Sequence, residues 1–182
     1  IPVVAVNLSA GHFRTRSLVP MIDGLLKKYG LAPERLTVEI TESVMMDESE
    51  ETMNVLSSIR KLGVGLSMDD FGTGFSSLSR LTRLPLTEIK IDRSFIMNLE
   101  HDANAQAVTT AVIGIGNRLG MTVVTEGVET DAQYKLLQDL HCDVLQGYLF
   151  AKPMSATDLE VWARKPHDFL KSIAITSCEG KT

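Results

Sequence analysis

The segment KLGVGLSMDDFG, residues 61–72, joins a helix end, an apolar strand and a pair of acids. Glycine directly after the last apolar residue of a helical pattern, as in Leu62-Gly63, is typical of a helix C-terminus. The apolar segment VGLSM then indicates a buried β-strand, which Asp69 and Asp70 close. A turn is satisfied by one Asp, so two adjacent acids whose charges repel indicate a second, functional reason.

The same succession of helix and strand recurs along the chain. Two further helical patterns end at glycine, at Tyr29-Gly30 and Leu119-Gly120, and a strand begins within a few residues. The strand-like segments are VVAVNL, LTVEI, VGLSM, EIKID, MTVVTE and DVLQGYLF. Alternating strands and helices predict an α/β fold with a parallel sheet and right-handed crossovers. Because the strands are almost continuously apolar, we expect both faces of the sheet to be covered.

The composition narrows the function classes. The chain has 182 residues, 44% of them hydrophobic, and one domain is the default at this length. Its net charge of −5, without a basic run, argues against DNA or RNA bound through phosphates. Cys142 and Cys178 form no CxxC pair, which favours a reducing cytoplasm, and the scattered histidines do not favour zinc. No apolar run approaches the roughly 20 residues that span a bilayer.

Polar residues close most of the strand-like segments. Parallel strands place these ends along one rim, which is the active-site face if the sheet curls into a barrel. The residues are Asn7, Glu39, Asp69, Asp70, Lys90, Asp92, Glu126, Glu129 and Gln146, with Glu42 beyond the second strand. Repulsion among the carboxylates of Glu39, Asp69, Asp70 and Glu126 predicts divalent cations between them. Oxygen ligands favour Mg²⁺ or Mn²⁺. Two such ions suit phosphoester hydrolysis, because they clamp the attacking and leaving oxygens.

Each of these residues alone also allows a structural interpretation. The acid pair is compatible with a turn that caps the next helix, and Lys90 with a surface lysine. Glu126 and Glu129 are compatible with favourable charges near a helix N-terminus. A barrel interior also accommodates a hydrogen-bonded Gln146. Their common position on one rim favours the functional interpretation.

Six motifs follow one another in the chain: VNLSA, EITES, DDFGTGFSSL, IKIDRSFI, VVTEGVET and QGYLFAKP. Together they closely resemble the EAL domain family, the cyclic di-GMP phosphodiesterases of bacterial second-messenger signalling. The resemblance covers about Ile1 to Pro153. It implies a TIM-like (β/α) barrel that hydrolyses cyclic di-GMP to linear pGpG with Mg²⁺ or Mn²⁺. We accordingly expect a phosphodiesterase domain at residues 1–165 and a C-terminal tail at residues 166–182.

The metal ligands carry over from the family motif by motif. By resemblance, Asn7, Glu39 and Asp69 bind a first metal ion, and Asp69 bridges to a second. Asp70 holds the second ion, with a contribution from Glu126. This arrangement would give the two adjacent acids separate roles in one site.

The water-handling and supporting residues also follow from the resemblance. Lys90 is implied to position or polarise the attacking water, and Glu126 is the other candidate for activating it. Glu42 is implied to hold the loop after Asp70, which in the family couples the active site to a dimer contact. The residues implied to support the substrate or nearby loops are Glu42, Asp92, Glu129, Gln146 and Pro153.

The chain departs from the family pattern at its start. The family begins with a strand and then the strand that carries Glu-Ala-Leu, whose Glu is a metal ligand, and neither has a counterpart here. We therefore expect an incomplete barrel with an unpaired edge at VVAVNL, a weakened first metal site and impaired turnover by this chain. An unpaired edge favours a homodimer or a swapped oligomer.

The resemblance also indicates partners and one alternative function. We expect cyclic di-GMP as the ligand, in a parent protein that carries sensory or diguanylate cyclase domains. A cytoplasmic location is expected for this domain, even if other domains anchor the parent to a membrane. The alternative is a catalytically inactive cyclic di-GMP receptor. Receptors of this family tend to lose metal ligands, and the ligands quoted above are present, which favours the enzyme.

Overall fold

The computed structural model describes residues 3–13, 15, 17–41, 44, 49–72 and 81–165. The described strands are β1 (Val4–Leu8), β2 (Leu36–Ile40), β3 (Gly65–Phe71), β4 (Glu88–Ile91), β5 (Thr122–Thr125) and β6 (Val144–Leu145). The described helices are α1 (Ala10–Phe13), α2 (Leu18–Tyr29), α3 (Glu50–Lys61), α4 (Arg93–Met97), α5 (Ala103–Leu119), α6 (Asp131–Asp139) and α7 (Ala156–Ala163). A 3₁₀ turn at Pro33–Arg35 leads into β2.

The strands form one parallel sheet in which they lie in chain order. Each strand from β1 to β5 pairs in parallel with the next one along the chain. The predicted α/β fold with a parallel sheet is therefore confirmed. In the part of the chain that the structure describes, β1 and β6 form opposite edges of an open sheet. This geometry is the one expected of an incomplete barrel, because a closed barrel has no edge strands.

The last strand is shorter than the sequence predicts. The segment DVLQGYLF was predicted to be a strand, but its pairing with β5 ends at Leu145. Beyond that point the backbone pairs with the loop after β5, since the Val128 N–H donates to the Gln146 carbonyl at 3.0 Å. A Cβ at Gly147 would overlap the Val128 backbone, so only glycine permits this close approach.

The helical spacing of apolar residues in α2 predicts one apolar face, made of Leu18, Met21, Ile22, Leu25 and Leu26. This face is only partly buried. Leu18, Ile22 and Leu26 belong to the core, whereas Met21 is 51% exposed and Leu25 is 46% exposed. The two exposed side chains line an apolar groove of about 390 Å³ between α2 and β1. Helical periodicity therefore identified the face correctly, but the part of the face next to the edge strand is open to solvent.

The predicted helix ends are confirmed. Gly30 and Gly120 have φ values of 61° and 69°, in the left-handed region that glycine adopts without strain. Their N–H groups bond to carbonyls of the last helical turn, which is the C-cap arrangement. None of the helices that the structure describes is long and apolar enough to cross a membrane.

The two faces of the sheet differ in polarity, and this difference positions the site. Apolar residues of the central strands join helix residues in one buried cluster, which includes Val38, Ile40, Leu56, Ile59, Leu66, Met68, Ile89, Ile91, Val123 and Leu137. The residues that alternate with them line a cavity of about 610 Å³ and include Thr37, Glu39, Glu88, Lys90 and Gln146. Successive strand residues point to opposite faces, so the apolar core and the polar cavity lie back to back.

Candidate functional site

Lys90 of β4 lies at the centre of a group of carboxylates. Its side chain is buried, and its Nζ lies 2.8 Å from Glu39 Oε1, 3.0 Å from Asp69 Oδ1 and 2.5 Å from Glu126 Oε1. Burial lowers the pKa of Lys90, but the hydrogen bonds to the carboxylates outweigh this effect and raise the pKa above its ordinary value. Side chains from β2, β3, β4 and the end of β5 therefore meet at one point.

A β-bulge explains the adjacent acids at the end of β3. Two residues of β3, Asp69 and Asp70, lie opposite the single residue Lys90 of β4. Asp70 has a φ of 56°, in the left-handed region that Asp tolerates better than most residues. The bulge brings both carboxylates to the same rim, although regular alternation would have placed them on opposite faces.

Asp69, Asp70 and Glu126 form a group suited to a metal ion. One carboxylate oxygen from each lies within 4.8 Å of the others. Burial raises the pKa of Asp70, and the charges of Asp69 and Asp92 raise it further against the lowering effect of Lys90. Carboxylates this close together repel one another, and a divalent cation with oxygen ligands relieves that repulsion.

Two further residues predicted as metal ligands lie on β1 and β2. Asn7 pairs in register with Glu39, so the two residues are direct neighbours across the sheet. Glu39 is buried and contacts Lys90, whereas Asn7 is exposed on the edge strand. The structure thus places Glu39 inside the lysine-centred group and Asn7 beside it.

Asp92 has a clear structural part in the rim. It is the N-cap of α4, and its Oδ1 accepts a hydrogen bond of 2.9 Å from the Ser94 N–H. Burial raises the pKa of Asp92, but bonds from Ser94 and from the N–H groups of Ser94 and Arg93 outweigh this and lower the pKa overall. Asp92 therefore anchors the helix that follows Lys90.

The other predicted residues lie farther from Lys90. Gln146 is exposed and lines the same cavity as Glu39 and Lys90. Glu129 is exposed in the loop after β5, and Pro153 lines a neighbouring surface hollow together with Gln146. Glu42 lies outside the described residues.

The sequence analysis did not single out Glu88, which lies in the same cavity. It precedes Lys90 by two residues on β4, so both side chains project from the same face. Burial raises the pKa of Glu88; nearby Ser67 lowers it, Glu39 raises it and Lys90 lowers it. The alternation of side chains along EIKI would have predicted that Glu88 lies on the same face as Lys90.

Comparison with known proteins identifies relatives of this chain. The sequence matches the EAL domain family over residues 1–153. The oxygen sensor protein DosP of Escherichia coli K12 is 47% identical over 162 residues, which are 89% of this chain and 20% of that protein. The bifunctional diguanylate cyclase/cyclic di-GMP phosphodiesterase MucR of Pseudomonas aeruginosa is 44% identical over 86% of this chain and 23% of that protein. The chain thus spans about a fifth of the length of these relatives.

Solved structures share the architecture. The PaMucR phosphodiesterase in complex with c-di-GMP matches with a TM-score of 0.80 at 44% identity, over 86% of this chain and 64% of that chain. Klebsiella pneumoniae BlrP1 in a manganese/cyclic di-GMP complex matches with a TM-score of 0.76 at 35% identity, over 83% of this chain and 39% of that chain. With a family match that covers most of its length, the chain belongs to the EAL domain family.

Proposed function

We propose that this chain is the catalytic part of a phosphodiesterase that hydrolyses cyclic di-GMP to linear pGpG with Mg²⁺ or Mn²⁺. The observation that carries the proposal is the contact of Lys90 Nζ with Glu39, Asp69 and Glu126 on one rim of the sheet. The relatives support the substrate, since MucR is named a cyclic di-GMP phosphodiesterase and PaMucR was solved with c-di-GMP.

The donor set fits a divalent cation of the hard class. The three carboxylates of Asp69, Asp70 and Glu126 offer only oxygen, which is the ligand that Mg²⁺ and Mn²⁺ prefer. BlrP1 has been solved with manganese and also with calcium beside cyclic di-GMP. We assign these three acids as ligands, with Glu39 and Asn7 completing the set from the neighbouring strands. When bound, such cations polarise the phosphate and lower the pKa of water.

Lys90 and Glu126 divide the handling of the attacking water in this proposal. The three N–H groups of the Lys90 ammonium face Glu39, Asp69 and Glu126. When these carboxylates hold a cation, one N–H of Lys90 is released and orients the water by donating a hydrogen bond. We propose Glu126, whose Oε1 lies 2.5 Å from Lys90 Nζ, as the candidate that accepts the proton of that water. The roles of Glu42, Asp92, Glu129, Gln146 and Pro153 in supporting the substrate and the loops stay predictions.

The test is hydrolysis of cyclic di-GMP by the protein in its full-length natural form, with Mg²⁺ or Mn²⁺. We expect pGpG as the product, no turnover in chelator, and a rate about 100-fold or more lower for Asp69→Asn, because ligand loss weakens metal binding. Asp23→Asn, which changes a surface acid of α2 paired with Lys27, should leave the rate unchanged. Equal rates for wild type and Asp69→Asn would exclude the metal role.

A catalytically inactive receptor is the alternative that the same assay addresses. Binding of cyclic di-GMP by the wild-type protein without any turnover would favour the receptor. Impaired turnover by this chain alone also stays a prediction, and comparing its rate with that of the full-length form tests it.

The wider context is part of the proposal as well. We propose a parent protein with sensory or diguanylate cyclase domains, supported by the names of DosP and MucR. We further propose a homodimer or swapped oligomer formed through the exposed β1 edge, a cytoplasmic location, and a domain boundary near residue 165. Gel filtration with light scattering tests the oligomer, and a stable monomer at all concentrations would contradict it.

A further inference from the structure

The buried side chain of Gln133 joins two segments of the candidate site. Gln133 lies in the first turn of α6 and is 4% exposed. Its Oε1 accepts hydrogen bonds from the N–H groups of Glu129 at 2.8 Å and Thr130 at 3.1 Å. Its Nε2 donates a hydrogen bond of 3.0 Å to the Ile96 carbonyl. The amide orientation is fixed by its partners, because N–H donors face the oxygen and a carbonyl faces the nitrogen.

Only part of this arrangement is explained by helix capping. Thr130 and Gln133 form a capping box, in which the N3 side chain accepts from the N-cap backbone. Glutamate performs that function as well as glutamine, because only an acceptor is needed. The bond to Ile96 requires a donor, and it reaches a carbonyl 37 residues earlier in the chain. A capping box alone has no use for this additional bond.

The segments joined by Gln133 carry Lys90 and Glu126. Ile96 lies in α4, which begins directly after the strand of Lys90 and its neighbour Asp92. The loop from Glu126 to Thr130 starts with a bond of 3.1 Å from the Glu126 N–H to the Ile91 carbonyl. Gln133 holds the far end of that loop. The loop is therefore attached at both ends to the β4–α4 segment.

We propose that Gln133 is a positioning residue, which sets the placement of Glu126 beside Lys90 by holding the loop after β5 against α4. Its catalytic consequence rests on the phosphodiesterase function proposed above. The hydrogen bonds by which Gln133 holds the loop do not depend on that function, and they can be measured without turnover. Gln106 supplies a matched control, because its Nε2 donates a bond of 2.8 Å to the Leu99 carbonyl just beyond α4 without touching the loop.

The first experiment measures amide hydrogen exchange in Gln133→Met, Gln133→Glu and Gln106→Met. In Gln133→Met, exchange at the amides of Glu129 and Thr130 should accelerate by about 10-fold or more, because both lose their acceptor. The same amides should remain protected in Gln106→Met and in Gln133→Glu, which keeps an acceptor. Wild-type protection at these amides in Gln133→Met would overturn the proposal, whether or not the protein is an active enzyme.

The second experiment measures cyclic di-GMP hydrolysis by the full-length protein at saturating Mn²⁺. Both Gln133→Met and Gln133→Glu should lower kcat by about 10-fold with KM within about twofold, because a displaced catalytic group slows the chemical step more than binding. Gln106→Met should match wild type. A wild-type kcat in Gln133→Glu would overturn the positioning role, since the capping box alone would then suffice. Absence of turnover in wild type would instead refute the phosphodiesterase function, and the exchange result would still decide whether Gln133 holds the loop amides of Glu129 and Thr130.

Discussion

Strands β1 (VAVNL) and β2 (LTVEI) are adjacent, parallel and both mainly apolar in sequence, yet they are buried to different extents. Val6 of β1 is 43% exposed, whereas its register partner Val38 of β2 is 2% exposed. The polar partners differ in the same way, since Asn7 is exposed and Glu39 is buried against Lys90. β2 has a strand on each side, while β1 is the edge of the described sheet. Position in the sheet, rather than local composition, therefore decides which polar side chains are desolvated.

The largest effect is expected at the centre of the sheet, from Lys90→Met. Removing the ammonium leaves three crowded carboxylates uncompensated, so in chelator the free energy of unfolding should fall by about 3–5 kcal/mol. Urea denaturation measures the change, and added Mn²⁺ should restore part of the loss. Lys27→Met removes an exposed pair with Asp23 and should cost at most about 0.5 kcal/mol. Equal losses in the two variants would contradict the importance of burial.

A pair of methionines tests the contrast between centre and edge in the apolar layer. Met68 of β3 is fully buried and Met21 of α2 is 51% exposed beside β1. We expect Met68→Ala to lower the free energy of unfolding by about 3 kcal/mol and Met21→Ala by less than about 0.5 kcal/mol. Both are read from urea denaturation. Similar losses of stability in the two variants would mean that the groove between α2 and β1 is covered in solution. That result would contradict the difference in burial between the centre and the edge of the sheet.

Asp92 provides a smaller effect with a defined pH dependence. Asp92→Ala removes the N-cap of α4 and should cost about 1 kcal/mol at neutral pH. The folded-state pKa lies below the ordinary value of 3.8, so the ionised group stabilises the fold above that pH. This stabilisation is lost as the pH falls through the folded-state pKa. Asp92→Asn keeps a capping oxygen but does not titrate, so its stability should lack this pH dependence when it and the wild type are unfolded with urea across the acidic range.

The smallest effect, of opposite sign, is expected from Asp70→Asn. The pKa of Asp70 is raised above 3.8 in the folded protein, so its ionised form destabilises the fold as the pH rises through and above that window. In chelator at neutral pH, Asp70→Asn should therefore be more stable by a few tenths of a kcal/mol, since the group is largely exposed. The difference should vanish below pH 3.8. Adding Mn²⁺ should reverse the order, and stability that is insensitive to Mn²⁺ would argue against Asp70 as a ligand.

The parts of the fold and site that depend on local pattern could be predicted from the sequence. Glycines at helix ends and apolar strand segments predict that helices and strands alternate, and this alternation predicts a parallel sheet. In a parallel sheet the strand ends that carry Glu39, Lys90 and Glu126 lie on one rim. Features that depend on register between strands could not be predicted. The bulge at Asp69 and Asp70 requires knowing which β4 residue lies opposite, and the early end of β6 depends on the loop after β5.

Hydrogen bonds between distant segments were equally invisible in the sequence. The T-x-x-Q pattern at Thr130 and Gln133 indicates a capping box, but nothing local indicates the bond to Ile96. The helical pattern also could not predict that Met21 is exposed, because it identifies an apolar face but not which residues pack against that face. Both the bond to Ile96 and the exposure of Met21 depend on tertiary contacts.

Because Asp70 is the extra residue of the bulge in β3, it can be removed without changing the rest of the sheet. Phe71 lies opposite Ile91 on the apolar side, and Met68 lies opposite Ile89 on that same side. Deleting the codon for Asp70 would restore strict alternation between these fixed points and leave the hydrophobic layer as it is. A lineage could therefore gain or discard one carboxylate, and with it a share of the site's charge, in a single genetic event that leaves the scaffold intact.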